Sequence, residues 1–199
     1  MESVSDFSFL ELSLFMNNCF LGGIYMKKLL VVVDYQNDFV TGSLGFESAK
    51  DLDKTISEKV LKYREENADI IYTMDTHGPA YLDMQEGKKL PIMHCQNGTE
   101  GWKLYGETGK ACGNAMTIGK HTFGSFDLAM FALNTGYDQI EICGVMANVS
   151  VMANAILLKT AQPEAEIIID AKCVASPDNS LKEKALDVLE SMQFTVIDR

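Results

Sequence analysis

From residue 26 onward the chain alternates short, almost continuously apolar runs with longer stretches whose apolar side chains recur at helical spacing. The runs at Lys28 to Asp34 (KLLVVVD), Asp69 to Asp75 (DIIYTMD), Ala115 to Gly119 (AMTIG), Gln139 to Gly144 (QIEICG), Glu166 to Asp170 (EIIID) and Phe194 to Ile197 (FTVI) predict strands. Their near-continuous hydrophobicity suits strands buried on both faces, since a strand with one wet face alternates apolar and polar residues. Helices are predicted at about Ala49 to Asn67, Ser125 to Thr135, Val149 to Thr160 and Asn179 to Met192, the last with Leu181, Ala185, Val188 and Leu189 on one stripe. Strands alternating with helices predict an α/β domain, a mainly parallel sheet covered by helices on both faces. The stretch from Thr76 to Asn114 has no strong periodicity and reads as a loop-rich insertion, which at that length is more often functional than decorative.

Residues 1–25 do not share this pattern. They are apolar in patches, carry Glu2, Asp6 and Glu11, and lack the basic start of a secretory signal. They are also too interrupted to span a bilayer. The expected organisation is therefore an N-terminal extension over 1–25, packed on its own domain or on a partner, followed by one domain over 26–199.

Composition narrows the function. Lys plus Arg number 17 against 28 Asp plus Glu, a net charge of −11, which argues against a nucleic-acid partner. With 47% hydrophobic and 23% charged residues the chain is expected to be globular, neither disordered nor membrane-embedded. Five Cys at positions 19, 95, 112, 143 and 173 form no CxxC pair, so a disulfide scaffold or zinc finger is not expected and a reducing, cytoplasmic setting is.

In an open parallel sheet, ligands bind beyond the carboxyl ends of the strands, and the polar residues at those ends are the candidates. Asp34 closes the first strand, as a turn cap or as a catalytic carboxylate. Asp75 closes the second, and His77 two residues on shares its side of an extended segment, so both could face one ion. His94 adds a second imidazole from the long loop, unless it only bonds loop backbone; three ligands of mixed N and O type fit a catalytic zinc, iron or manganese. Cys95 beside it reads as a buried apolar residue rather than a fourth ligand. Lys120 after the third strand is either a partner for Asp34 or a snorkelling surface cation, and His121 is not assigned to the chemistry. Beyond Gly144, Ser150 lies at a helix mouth, as a plain N-terminal hydroxyl or as a nucleophile aided by the helix dipole.

In this order, DxQNDF, DTH, HCxxGTxG, a strand-ending Lys before xTFGS, and GVxxNxxVxxNA resemble the isochorismatase-like cysteine hydrolases, nearest to their nicotinamidase-like branch. The match runs from about Leu29 to Ile197. The resemblance implies a Rossmann-like, three-layer α/β/α fold with a parallel six-stranded sheet. It implies hydrolysis of a small amide, such as nicotinamide to nicotinate and ammonia, through a thioester. Carried over, Asp34 is the general base and Lys120 the triad lysine. Asp75, His77 and His94 are the metal ligands, zinc before iron or manganese. The N–H groups of Met146 and Ser150 form the oxyanion hole after a Val145–Met146 peptide that is usually cis. Phe39 and Trp102 are candidates for contacts to the substrate ring. Family members are commonly oligomers, so a homo-oligomer is expected.

The chain departs from the family at the nucleophile, where Ser150 stands in the place of Cys and Ala147 replaces a small hydroxyl. A thiol near pKa 8.5 is deprotonated at modest cost, whereas a serine hydroxyl normally needs a histidine base that this set lacks. Turnover is therefore expected to be impaired. A substitution introduced to trap substrate and a natural, binding-only pseudoenzyme both fit.

Overall fold

The computed structural model describes residues 26–199; the expected extension over 1–25 lies outside the described residues. The strands are β1 (Lys28–Val33), β2 (Asp69–Asp75), β3 (Met116–Lys120), β4 (Gln139–Val145), β5 (Glu166–Ala175) and β6 (Thr195–Ile197). The helices are the single turns α1 (Asn37–Val40) and α2 (Glu47–Lys50), then α3 (Leu52–Glu65), α4 (Gln85–Lys89), α5 (Gly106–Cys112), α6 (Phe126–Thr135), α7 (Met152–Ala161) and α8 (Asn179–Ser191).

The six strands form one sheet in the order β3-β2-β1-β4-β5-β6, every pairing parallel. The chain winds outward from β1 to β3, crosses back to lay β4 against β1, and winds outward again. The direction thus reverses between β1 and β4, where an open sheet leaves a crevice at its carboxyl edge.

Both faces of the central strands are dry, which accounts for their unbroken hydrophobicity. Leu29, Val31 and Val33 of β1 pack with α6, α7 and α8 through Leu128, Leu158 and Leu186. Leu30 and Val32 face the opposite layer, with Ile56, Val60 and Tyr63 of α3. Gly144 is required at the tip of β4: its φ is 114°, and a Cβ there would stand 2.1 Å from the Val33 carbonyl oxygen of β1.

Several elements differ from the sequence reading for physical reasons. The helix expected from Ala49 breaks at Asp51 into α2 and α3. The stretch expected to be loop carries α4 and α5. In α5, the Asp53 carboxylate of α3 accepts from the N–H groups of Glu107 and Thr108, both at 2.9 Å. Arg64 donates to the carbonyls of Ala111 and Cys112 at the other end. The helix is capped at both ends by a neighbour, which leaves no local signature. Strand β5 continues past Asp170 to Ala175, with its register to β4 shifted between Ile142 and Gly144. The helix expected from Val149 opens as a π-helical turn over Ala147–Val151.

Candidate active site

The loop leaving β1 organises the crevice. Asp34 is wholly buried at a φ of 48°, and its Oδ1 accepts from the Thr73 hydroxyl at 2.6 Å. Two residues on, buried Gln36 grips β2: its Oε1 accepts from the Asp75 N–H at 2.8 Å and its Nε2 donates to the Asp75 carbonyl at 2.9 Å. Asp38 accepts from the Cys95 N–H at 2.7 Å and so fixes the segment carrying His94. The same segment bonds to β2's exit, Cys95 accepting from the His77 N–H at 2.9 Å and His77 accepting from the Asn97 N–H at 3.0 Å. Two imidazoles 17 positions apart in sequence are thereby brought face to edge, with ring centroids 4.7 Å apart.

Two electrostatic groups meet at Asp75. On one side Lys120, 5% exposed, places Nζ 2.6 Å from Asp34 Oδ2 and 3.5 Å from Asp75 Oδ1, and donates to the Thr122 carbonyl at 2.9 Å. Its contact with Asp34 is a buried ion pair. On the other side Asp75 Oδ2 lies 3.0 Å from His77 Nε2 and 3.4 Å from His94 Nε2. Burial raises the Asp34 pKa, with the Asp75 charge adding to it against the pull of Lys120, which leaves a carboxylate suited to accepting a proton. Burial would lower Lys120, but Asp34 and Asp75 outweigh it and keep the ammonium charged. Burial would likewise raise Asp75, yet hydrogen bonds from His77 and His94 hold it well below the usual carboxylate range.

The donor set suits a divalent ion. Asp75, His77, His94 and half-buried Glu86 each offer a ligand atom, all within 4.8 Å of one another. Ligands 2.0–2.2 Å from a tetrahedral centre stand roughly 3.3–3.6 Å apart, close to the separations of the two imidazoles from Asp75. His94 Nδ1 lies 2.8 Å from the Ile92 carbonyl, which orients Nε2 toward Asp75 as ligating histidines are usually oriented. Among the described residues, the buried side-chain atoms without a hydrogen-bond partner are Asp34 Oδ2 and His77 Nδ1, both in this site.

A cavity of about 180 Å³ opens beside these groups, lined by Asp75, Glu86 and His94, by Phe39, Met146 and Ser150, and by Leu44, Leu90, Phe123 and Val149. The Val145–Met146 peptide is cis, as expected. Ser150, 7% exposed, sits in the π-helical turn. Its carbonyl accepts from Asn154 Nδ2 at 2.8 Å, and the same amide group donates to the Phe123 carbonyl and accepts from the Ser125 N–H.

The structure thus brings Asp34, Asp75, His77, His94 and Lys120 together, with Phe39, Met146 and Ser150 at the adjoining cavity. Trp102 stands apart from the other candidates. It does not line this cavity but a separate groove with Tyr72, Met74 and Leu104, its indole N–H donating to the Thr76 hydroxyl at 2.9 Å. Its backbone carbonyl accepts from Gln36 Nε2 at 2.7 Å. His121 is exposed and bonds the Thr76 carbonyl at 2.7 Å. Cys95 is buried, its thiol pushed up by desolvation. Glu86, Gln36, Asp38 and Asn154 escaped the sequence reading. Gln36, Asp38 and Asn154 stand in the motifs DxQNDF and GVxxNxxVxxNA without an assigned role, and Glu86 is one of two acids, with Asp83, between the candidate histidines.

The relationships with known proteins agree with this geometry. A search of curated proteins gives no match. Among solved structures, the nicotinamidase/pyrazinamidase of Bacillus subtilis is 26% identical with a TM-score of 0.78, covering 86% of this chain and 99% of that one. The pyrazinamidase of Pyrococcus horikoshii in complex with zinc is 24% identical (TM-score 0.76; 87% and 99% covered). The N-carbamoylsarcosine amidase of Thermoplasma acidophilum is also 24% identical (TM-score 0.72; 86% and 95% covered); these two establish the fold alone. The isochorismatase domain model matches residues 28–199, which takes in all six strands and every polar group at the crevice, and the chain therefore belongs to the isochorismatase family.

Proposed function

We propose that this family hydrolase is a metal-assisted amidohydrolase of the nicotinamidase type, acting on a small amide. The observation that carries the reading is the continuous path from the Asp34–Lys120 ion pair through Asp75 to His77, His94 and Glu86, beside a cavity containing Ser150. Its volume lies below the roughly 300–1,000 Å³ of drug-sized pockets, which supports a substrate of few atoms.

In this proposal Asp34 takes the proton of the nucleophile at position 150 as it attacks the amide carbon, and gives it to the departing ammonia. Lys120 holds Asp34 in place and balances its charge. The N–H groups of Met146 and Ser150 receive the developing oxyanion, and Phe39 packs against the substrate. The released acid follows when water attacks the acyl-enzyme, with Asp34 again as base. Asp75, His77 and His94, with Glu86 beside them, would hold a divalent ion, zinc before iron or manganese, which supplies a Lewis acid that orients a substrate ring nitrogen. The proposal includes a homo-oligomer with no nucleic-acid partner in a reducing, cytoplasmic setting. In support of that setting, the four described cysteines are buried and free. No helix among the described residues is long and apolar enough to cross a membrane.

Ser150 favours a second reading, a small-molecule binder without turnover. Ser150→Cys discriminates the two. Zinc-loaded Ser150→Cys protein is expected to release ammonia from nicotinamide or a related amide, with the unsubstituted chain orders of magnitude slower. A variant that binds such an amide in calorimetry yet releases no ammonia from any of them would establish the binder instead.

A further inference from the structure

Helix α6 is apolar on two opposite faces. Its ten residues, FDLAMFALNT, carry one charge, Asp127. Leu128, Ala129 and Ala132 are buried against the sheet, whereas Phe126, Met130 and Leu133 are 78%, 52% and 51% exposed. The latter follow the i, i+4, i+7 spacing of a single stripe, the spacing by which a helix presents an apolar face to a partner. Isolated exposed apolar residues need no explanation, but an aligned stripe on a helix already buried on its other side marks an interaction surface.

The chain enters the domain beside this face. Lys27, where the domain begins, is fastened to the C-terminal end of α6: its Nζ donates to the Thr135 carbonyl at 3.1 Å, its N–H to Asp138 Oδ2 at 2.7 Å, and its ammonium lies 5.3 Å from the centre of the Tyr137 ring. Residues 1–25 thus join the domain at the foot of the stripe. Helix α6 is about 15 Å long at ~1.5 Å per residue, a length that roughly five extended residues retrace. The segment 7–16, FSFLELSLFM, is apolar but for Glu11 and two serines, and enough chain separates it from Met26 to reach any point of the stripe. Its composition matches a surface that offers dispersion and desolvation rather than charge.

We propose that the outer face of α6, through Phe126, Met130 and Leu133, is the docking surface for the chain's own N-terminal segment around residues 7–16. The test uses the full-length chain with Met130 replaced by the photo-crosslinking residue p-benzoylphenylalanine. Irradiation followed by mass spectrometry is expected to give a product of single-chain mass joining position 130 to a peptide from 1–25. A product of doubled mass, which would mean that a second copy covers the face, overturns the proposal, as does a crosslink confined to residues 26–199. Independently, Leu133→Asp in the full chain is expected to speed chymotryptic cleavage within 1–25 by about tenfold with circular dichroism unchanged, because cleavage follows the population of the undocked segment. An unchanged cleavage rate would count against docking.

Discussion

The Asp38 carboxylate accepts a 2.7 Å hydrogen bond from the backbone N–H of Cys95, fastening the turn after β1 to the segment that carries His94. Cys95 is buried at a φ of 44°, so the N–H has no ready alternative. Removing the acceptor leaves a buried donor unsatisfied, at a cost of about 1–3 kcal/mol. It also loosens the imidazole, and groups that orient a metal ligand typically contribute 10–100-fold in affinity. Asp38→Ala is therefore expected to weaken zinc binding by roughly that factor, read by competition with a chelating dye. His94→Ala should abolish stoichiometric binding in the same assay.

Asp34 carries the proposed base. In the Ser150→Cys background, Asp34→Asn is expected to reduce ammonia release at least about 100-fold, the lower end of what a positioned base contributes. The fold should survive, because Lys120 keeps Asp75 and the Thr122 carbonyl as partners. A folded Asp34→Asn variant with an undiminished rate would remove Asp34 from the chemistry.

The tip of β4 tolerates no side chain. In Gly144→Ala the new methyl would press on the Val33 carbonyl, at a φ that L-residues rarely adopt. Overpacking and backbone strain each cost about 1–3 kcal/mol, and for a domain of this size each kcal/mol lowers Tm by roughly 2–4 °C. A fall of about 10 °C or loss of soluble protein is expected, whereas a fall under about 3 °C would mean the strands separate easily.

Away from the crevice, Lys59 of α3 bridges Glu141 of β4 and Asp170 of β5, with its Nζ 2.8 Å from Asp170 Oδ2. Burial alone would raise the Asp170 pKa, but the hydrogen bond with Lys59 outweighs it and holds the carboxyl below its ordinary 3.8. A depressed folded-state pKa stabilises above about pH 4, and that contribution disappears as pH falls through the lower folded value. Lys59 itself is raised above 10.5, since its two carboxylates outweigh its desolvation, and contributes until strongly alkaline pH. The urea midpoint should hold between about pH 5 and 9 and decline below about pH 4. Lys59→Met leaves two buried carboxylates uncompensated, which costs about 3–5 kcal/mol at pH 7, and should reverse the slope so that the variant gains stability on mild acidification. A variant with the parent's acid profile would show that the bridge does not act this way.

How much was legible in the sequence depended on how local each cause was. The strands of the sheet announce themselves because burial on both faces demands unbroken apolar runs, and Asp34, Asp75 and Lys120 stand out as charges ending those runs. Helix α5 did not, because its caps, Asp53 and Arg64, reside on another helix. Gln36 and Asp38 look like ordinary turn residues; their work is to hold Asp75 and Cys95, each roughly 40 or more positions away, and no periodicity encodes that. The placement of Trp102 was not legible either, because its indole N–H bonds the Thr76 hydroxyl, 26 positions away.

The reversal of winding between β1 and β4 also divides the crevice along the chain. Every acid, imidazole and ammonium named there precedes Gly136, and Met146 and Ser150 follow it. The chain crosses from α6 to β4 through that exposed glycine, at a φ of 69° with open space around it. A chain cut at Gly136 would yield one fragment holding the charges and another holding the turn of Met146 and Ser150, so that neither carries the whole cavity lining. Occupancy of the cavity would then require both pieces, since Phe39 and His94 line it from one and Met146 and Ser150 from the other.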